Sequence, residues 1–484
     1  MFTTRTRLSS SGNNNLPPSP PSLPVIGNLH QLGTHPHRFL RALSDKYGPL
    51  MFMHLGQVPT LIVSSADMVK EIIKTHDIVF SNRPNTLGAE IMLYGGKDVA
   101  FSSYGEYWRL ARKVSVVELL SLKRVKLFQY VREEEVDLLI SIIRKACCFE
   151  GSVNLSKMLI ATSNNIVARC MLGQRVEDEN GQSRFGELSR KIMVDFMAFS
   201  VGDFFPFLRW VDVLRGLNGR FTASSKALDS FFDKVIQEHK AVMKSNDGSG
   251  QNLKDDFVDI LLRVQEEENL TLEHLKAILL DMFVGGSDTT STALEWLMAE
   301  LLRNPRVMKK AQEEVRKVVG NKSKIDPNDI NKMSYLSCVI KENQRLHPSL
   351  PLLLPRETSA SVEVGGYHVP AKTRVFINAW AIQRDRSIWE KPEEFIPERF
   401  ENNPIDLKGQ DHHDLVVFGC GRRACPGMSF AMASMEYVAA NLLYWFDWEL
   451  FGNGSSSDLD MSEVYGLSVS KKMALHVVPK PYSP

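Results

Sequence analysis

The sequence lacks a long apolar run. No stretch of about 18 apolar residues occurs in its 484 residues, so no segment of it reads as a bilayer-spanning helix. Cysteine is scarce. Cys147, Cys148, Cys170, Cys338, Cys420 and Cys425 are six in the whole chain, which excludes the disulfide framework of a small secreted domain. A reducing compartment suits them better, with most acting as small buried hydrophobes. An excess of one charge is missing too. Lys and Arg number 58 against 57 Asp and Glu, a net charge of +1, so no overall field draws in nucleic acid. No G-x-G-x-x-G follows a strand and no Walker loop occurs, so no nucleotide site is evident. The first fifteen residues, MFTTRTRLSSSGNNN, lack the apolar core of a signal peptide and read as disordered.

What remains is an ordinary globular composition, 43% hydrophobic and 24% charged. Five prolines between Pro17 and Pro24, in LPPSPPSLP, predict a stiff extended spacer rather than a core element. Residues 35–49 read as a short helix stopped by Gly48 and Pro49. Alternating apolar residues around a Gly turn predict a hairpin over 50–65. Helical periodicity dominates from about 66 to 350, interrupted by polar loops such as SNDGSGQN (245–252). Residues 362–380 read as strand, Gly-Gly turn, strand and a further strand. A last helix is expected from Cys425 to about Phe446, with short strands after it. The fold class is mainly α with small β-sheets, α+β.

The chemistry gathers in FGCGRRACPGMSFA (418–431). After Cys425 come Pro426 and Gly427, then apolar residues at helical spacing, which puts Cys425 at a helix N-terminus. Free N–H groups, the positive dipole end, Arg422 and Arg423 all favour a thiolate there. Three readings compete. A dithiol pair of Cys420 and Cys425 has a longer spacing than C-x-x-C. A metal site would need more ligands: no second Cys pair is near for zinc, and His412, His413 and Asp414, which invite mononuclear iron, are adjacent residues pointing in different directions. The third reading is a single thiolate on a large cofactor, with glycines letting the backbone approach it.

Four motifs carry a resemblance. FGCGRRACPG matches F-x-x-G-x-R-x-C-x-G through Phe418, Gly421, Arg423, Cys425 and Gly427, and it resembles the haem-binding loop of the cytochrome P-450 family. VGGSDTTSTALEW (284–296) has flanks too apolar for an exposed helix. Its Thr289 hydroxyl can bond back to the Gly285 carbonyl and bend the helix. It is similar to the family's oxygen-activation helix, which implies a local break and an acid–alcohol pair, Asp288 and Thr289. KENQRLHP (341–348) with PERF (397–400) resembles the family's buried network and implies a structural triad of Glu342, Arg345 and Arg399. In WRLARK (108–113) Trp108 and Arg112 share a helix face, and the resemblance implies that they contact a haem propionate, as would Arg356 and Arg423. Segments such as SSYGEYWRLARK, TALEWLMAEL and NAWAIQRD look like the plant A-type clan. Val417, Gln383 and the pair Asn343–Gln344 depart from that clan's pattern without removing a chemical group.

The resemblance implies haem b with Cys425 as axial metal ligand and Phe418, Gly427, Trp108, Arg112, Arg356 and Arg423 around it. It implies a monooxygenase that uses O2 and electrons from an NADPH-cytochrome P-450 reductase to oxidise a lipophilic small molecule, such as a plant terpenoid, alkaloid or phenylpropanoid. The reductase is expected to dock near Lys113 and Arg422. Two alternatives stand beside it: an O2-independent isomerase or dehydratase, and a haem-binding protein without turnover. Relatives begin with an apolar anchor helix in the endoplasmic reticulum membrane, facing the cytoplasm. Here residues 1–24 are expected to be a polar and Pro-rich segment with that anchor missing, and 25–484 the single catalytic domain. The Phe-rich stretch 193–211 is expected either to meet the membrane surface and roof the access channel or to pack in the core.

Overall fold

A computed structural model describes residues 15–148, 151–175, 188, 191–192, 194–196, 198–245, 255–403, 405, 407, 413–452 and 455–483. The polar segment 1–14, most of the loop 245–252, Met193, Met197 and His412 lie outside the described residues.

Two helices make the spine. The long helix Leu272–Arg303 is capped by Thr271, whose hydroxyl accepts the His274 N–H, and most of its second half is buried on every side. ALEWLMAELL lies in that half and is apolar apart from Glu295 and Glu300, and ILLDMFV, apolar apart from Asp281, is mostly buried as well. It packs against Leu155–Leu172, and the approach is close at Gly286, where an added Cβ would lie 3.0 Å from Val167 Cγ2. The C-terminal helix Met428–Trp445 is the second buried axis. Helices Pro305–Val319 and Ser334–Leu346 pack on it to complete one large apolar core.

The sheets lie to one side. Strands Leu50–Leu55 and Val58–Val63 form an antiparallel hairpin with Leu50 opposite Val63. Val58–Val63 then runs parallel to Arg374–Ile377, which pairs antiparallel with the edge strand Arg356–Glu357. Arg356 therefore stands at a sheet edge. Val362–Val364 and Tyr367–Val369 form a hairpin whose two turn residues, Gly365 and Gly366, have φ of 58° and 77°, a turn that favours glycine at both positions. A three-stranded sheet joins Val153–Asn154, His476–Pro481 and Phe446–Leu450. The mainly α architecture with small sheets is thus as the sequence patterns require.

The proline stretch corrects one expectation. It is not a free spacer. Pro17 and Pro20 are buried. The Pro18 carbonyl accepts the Phe52 N–H at 2.9 Å, and the buried Asn28 side chain donates to the Pro20 and Pro21 carbonyls at 3.3 Å. A proline run has no N–H to offer a ladder but keeps its carbonyls, so it can lie along a strand as an acceptor only.

Candidate functional site

The loop before the C-terminal helix is held by its own backbone. Gly419 N–H donates to Val416 O at 2.9 Å, Ala424 N–H to Gly421 O at 3.0 Å, and Cys425 N–H to Phe418 O at 2.7 Å. Gly421 has φ of 64°, and an added Cβ would sit 2.6 Å from Asp77 Oδ1, so a side chain here would displace the loop. The helix begins at Met428 with Gly427 as its cap, three residues later than expected, and Pro426 precedes the helix rather than opening it. The reason is local. The N–H groups of Gly427 and Met428 are turned onto the Cys425 sulfur.

Cys425 is accessible to water yet densely surrounded, because its sulfur faces an internal cavity. Burial pushes its thiol up; the Gly427 N–H, the Arg112 charge and the Met428 N–H pull the other way. Across the cavity stand Gly285 and Thr289 of the long helix. Thr289 Oγ1 donates to Gly285 O at 2.6 Å. The helix nevertheless runs unbroken from Leu272 to Arg303, so the expected local break is absent. Room comes instead from Gly285, whose missing Cβ would meet nothing within 4 Å. Asp288 does not line the cavity. Its carboxylate accepts the Ser468 hydroxyl, and burial raises its pKa against that bond.

One wall is cationic. Arg83, Arg112, Arg356 and Arg423 all border the cavity. Arg423 donates to Ser81 O at 2.7 Å, Val99 O at 3.2 Å and Ser102 O at 2.5 Å, and its guanidinium lies 4.2 Å from the Trp108 ring centre. Burial, then the Arg356 charge, lower its pKa to about 9. Trp108 Nε1 donates to Val99 O at 3.0 Å. Arg356 Nη2 donates to Cys420 O at 2.7 Å, and its Nη1 is 3.8 Å from Asp77 Oδ1. Arg112 has neither a hydrogen bond nor an ion pair among the described residues; burial lowers its pKa, and the Cys425 charge is all that opposes this. Clustered buried cations with so few carboxylates call for an anionic ligand.

Behind the cavity, Glu342, Arg345 and Arg399 meet. Arg345 forks onto Glu342 at 2.8 and 2.9 Å, and Arg399 Nε reaches Glu342 Oε1 at 3.0 Å. The three amides that depart from the clan pattern brace this region. Gln383 is fully buried; its side chain donates to the Gln344 and Arg345 carbonyls at 3.1 and 2.8 Å, and its own carbonyl accepts Arg345 Nη1 at 2.7 Å. Asn343 donates to Ala293 O of the long helix at 2.9 Å, and Gln344 to the Met435 sulfur at 3.2 Å. Val417 borders the cavity.

The motifs missed four residues here. Arg83 donates to the carbonyls of Ala100, Leu354 and Pro355 at 2.8–2.9 Å; nothing in SNRP (81–84) marks it. Asp98 and Asp281 are two acids joined by a side-chain hydrogen bond. Asp281 accepts the Val99 N–H at 2.5 Å and the Ala100 N–H at 3.2 Å, and its signal was a lone charge inside the apolar run ILLDMFV. Ser468 has no signal of its own.

Comparison with known proteins settles the class. The cytochrome P450 family model matches residues 17–477, and the chain belongs to that family. It is 56% identical to phenylacetaldehyde oxime monooxygenase CYP71AN24 of Prunus mume, with 99% of this chain and 92% of that one covered. It is 47% identical to desmethylyatein synthase of Sinopodophyllum hexandrum, covering 96% and 93%. It is 44% identical to strychnine-11-hydroxylase of Strychnos nux-vomica, covering 96% and 91%. A zebra fish cytochrome P450 solved with abiraterone superposes with a TM-score of 0.79 at 26% identity, covering 93% of this chain and 100% of that one. The protein is therefore a haem-thiolate monooxygenase of plant type, needing O2, a small-molecule substrate and a reductase as redox partner. The O2-independent alternative is not favoured. The cavity suits haem b: a thiol with two N–H groups aimed at it, cations for two propionates, and a glycine-opened helix opposite.

Proposed function

We propose that Cys425 would ligate the haem iron and that Arg112, Arg356 and Arg423, with Trp108 beneath Arg423, would hold the propionates. The observation that carries this is the cavity itself, whose wall brings Cys425 together with the side chains of Arg112, Arg356 and Arg423. Phe418 and Gly427 shape the loop so that the sulfur faces the cavity. When bound, the haem supplies oxygen activation, helped by electron density from the thiolate. The chain supplies the rest. Cys425, whose thiol burial pushes up, would give up its proton on ligating the iron, with the Gly427 and Met428 N–H groups stabilising the thiolate. Thr289, on the opposite wall, offers a hydroxyl to incoming oxygen, and Asp288, one residue before it, holds a proton within the same buried turn. Glu342, Arg345 and Arg399 keep the supporting helix in place.

The substrate is a lipophilic plant specialised metabolite. The apolar lining, with Leu93, Phe101, Phe196, Val284, Leu350 and Leu467, and relatives named for phenylacetaldehyde oxime and strychnine support this. The electron donor is an NADPH-cytochrome P-450 reductase docking near Lys113 and Arg422. Both are exposed, and they pair with Glu268 at 2.8 Å and Asp77 at 3.3 Å.

Residues 25–484 act as one catalytic domain, lying on the cytoplasmic face of the endoplasmic reticulum membrane. No helix among the described residues is long and apolar enough to cross a membrane. An exposed apolar patch supports surface contact. Val25 is 73% exposed, Phe207 61% and Trp210 58%. Their segments meet at one turn, where Gly56 N–H donates to Ile26 O and Gln57 N–H to Phe204 O. The stretch 193–211 divides, with Phe205 buried and Phe196 stacked on Phe101.

The test is an absorption spectrum of the reduced, haem-loaded protein under carbon monoxide. A strongly red-shifted Soret band is expected. A band without that shift would overturn thiolate ligation, and a protein that takes up no haem would overturn the whole reading.

A further inference from the structure

The geometry points to Ser468 as a positioning residue for the oxidation: its hydroxyl fixes where the Asp288 carboxyl stands relative to Thr289 and the cavity. The inference rests on the proposed role of Asp288 as a proton-holding group and deepens it.

Asp288 turns away from the cavity, and its carboxylate oxygen Oδ2 accepts the Ser468 hydroxyl. Among the described residues no other side chain bonds to it: burial and the Ser468 bond are what act on its acidity. Among the described residues, Glu295, Lys471 and His347 on the surrounding elements are each engaged elsewhere. Glu295, two turns along the helix, accepts from Ser156 and from the Lys471 N–H. The Lys471 ammonium donates to the Asp460 carbonyl. His347 is bonded to Glu300 at 2.7 Å. One hydroxyl therefore decides the rotamer of a buried acid, and rotamer freedom is what an unpartnered Asp would regain.

Ser468 is itself immobilised. It is 6% exposed, and its oxygen lies 3.3 Å from Thr292 Oγ1, one helical turn beyond Asp288. The next residue is tied twice: Trp296 Nε1 donates to Val469 O at 2.8 Å, and Val469 N–H donates to Ser349 O at 2.9 Å. Ser349 Oγ returns to Thr289 O at 3.1 Å. The segment around 468–469 is thus strapped to the long helix at Thr289, Thr292 and Trp296, across the stretch that carries the acid–alcohol pair. The neighbouring Leu467 lines the cavity. A segment that touches substrate space on one side and holds the proton-bearing acid on the other positions both.

The test compares Ser468→Ala, Ser468→Thr and Asp288→Asn in haem-loaded protein with phenylacetaldehyde oxime, the compound named in one relative, as the turnover probe; hydrogen peroxide released per NADPH reports coupling even where product is slow. Ser468→Ala should raise the peroxide fraction roughly 10-fold, in line with losing a buried hydrogen bond. Ser468→Thr should restore it. A second readout needs no turnover: the infrared carbonyl band of the Asp288 side chain, assigned by its loss in Asp288→Asn, should shift in resting Ser468→Ala and return in Ser468→Thr. If Asp288→Asn uncouples but Ser468→Ala leaves both coupling and the carbonyl band unchanged, the positioning role is overturned while the Asp288 reading stands. If Asp288→Asn itself leaves coupling intact, the Asp288 reading falls. Should Ser468→Ala fold poorly, Ser468→Val, which matches threonine in shape, replaces it; a Val variant as well coupled as Thr overturns the role.

Discussion

Arg345 grips Glu342 through two parallel bonds, Nε to Oε2 at 2.8 Å and Nη2 to Oε1 at 2.9 Å, and neither side chain meets solvent. The pair is completed from outside the helix. Arg399 reaches the same carboxylate, the Ile396 N–H donates to it at 2.8 Å, and the remaining Arg345 donors go to the carbonyls of Gln383, Pro392 and Glu394. One buried ion pair thereby fixes the path of the long segment that leads back to the Cys425 loop.

Removing one partner should cost more than the pair is worth. Arg345→Leu leaves Glu342 buried with a single guanidinium and strands three carbonyls, so a loss of about 3–5 kcal/mol is expected. The expected readout is protein that expresses poorly and retains little haem, with a urea midpoint well below the parent. Arg399→Ala should be milder, because Arg399 is partly exposed and Arg345 remains. Equal damage from the two would contradict the ranking.

The two loop cysteines should separate cleanly. Cys420 is 1% exposed and packs in the small core beside the sheet, where burial pushes its thiol up. Its carbonyl, not its sulfur, is the strong acceptor for Arg356. Cys420→Ala should therefore keep the carbon monoxide spectrum and lose about 1 kcal/mol or less in stability. Cys425→Ser should lose the red-shifted band at full folding. A normal spectrum from Cys425→Ser would remove it as the ligand.

How far the sequence carried the reading depends on the kind of signal. Periodicity exposed the long helix, and the Gly-Gly hairpin and the Gly48–Pro49 stop were local enough to read directly. The buried role of Pro17 and Pro20 was invisible, because it depends on carbonyls meeting a strand more than thirty residues later. The helix at Met428 starts late because its first N–H groups serve Cys425, a competition that no pattern of side chains displays. Arg83, Ser468 and Gln383 act through contacts 38 to 271 residues away in the chain, or through backbone carbonyls, and neither leaves a trace in spacing. Asp281 alone advertised itself, as an acid in an apolar run.

That acid supplies the last prediction. Asp98 is fully buried and Asp281 borders the cavity. Burial raises both carboxyls, and the bond between them is one in which a shared proton is favoured. Asp98 is held to about 6 by the Phe101 N–H, its own N–H and the Arg83 charge. Asp281 rises well above the usual carboxylate range, first from burial and then from the Asp98 charge. A carboxyl whose pKa is raised on folding binds its proton more tightly in the native state, so its contribution is full below the unfolded value and fades as pH rises. Stability should therefore fall as pH climbs from about 4 through 6, when Asp98 ionises, and keep falling while Asp281 alone retains its proton. The slope for one retained proton is about 1.4 kcal/mol per pH unit at most. Asp281→Asn keeps a carbonyl for the Val99 and Ala100 N–H groups and a donor for Asp98, yet cannot titrate. Urea unfolding of haem-loaded protein between pH 6 and 8 should show a steeper decline in the parent than in Asp281→Asn. Parallel declines would mean that the two acids do not share a proton.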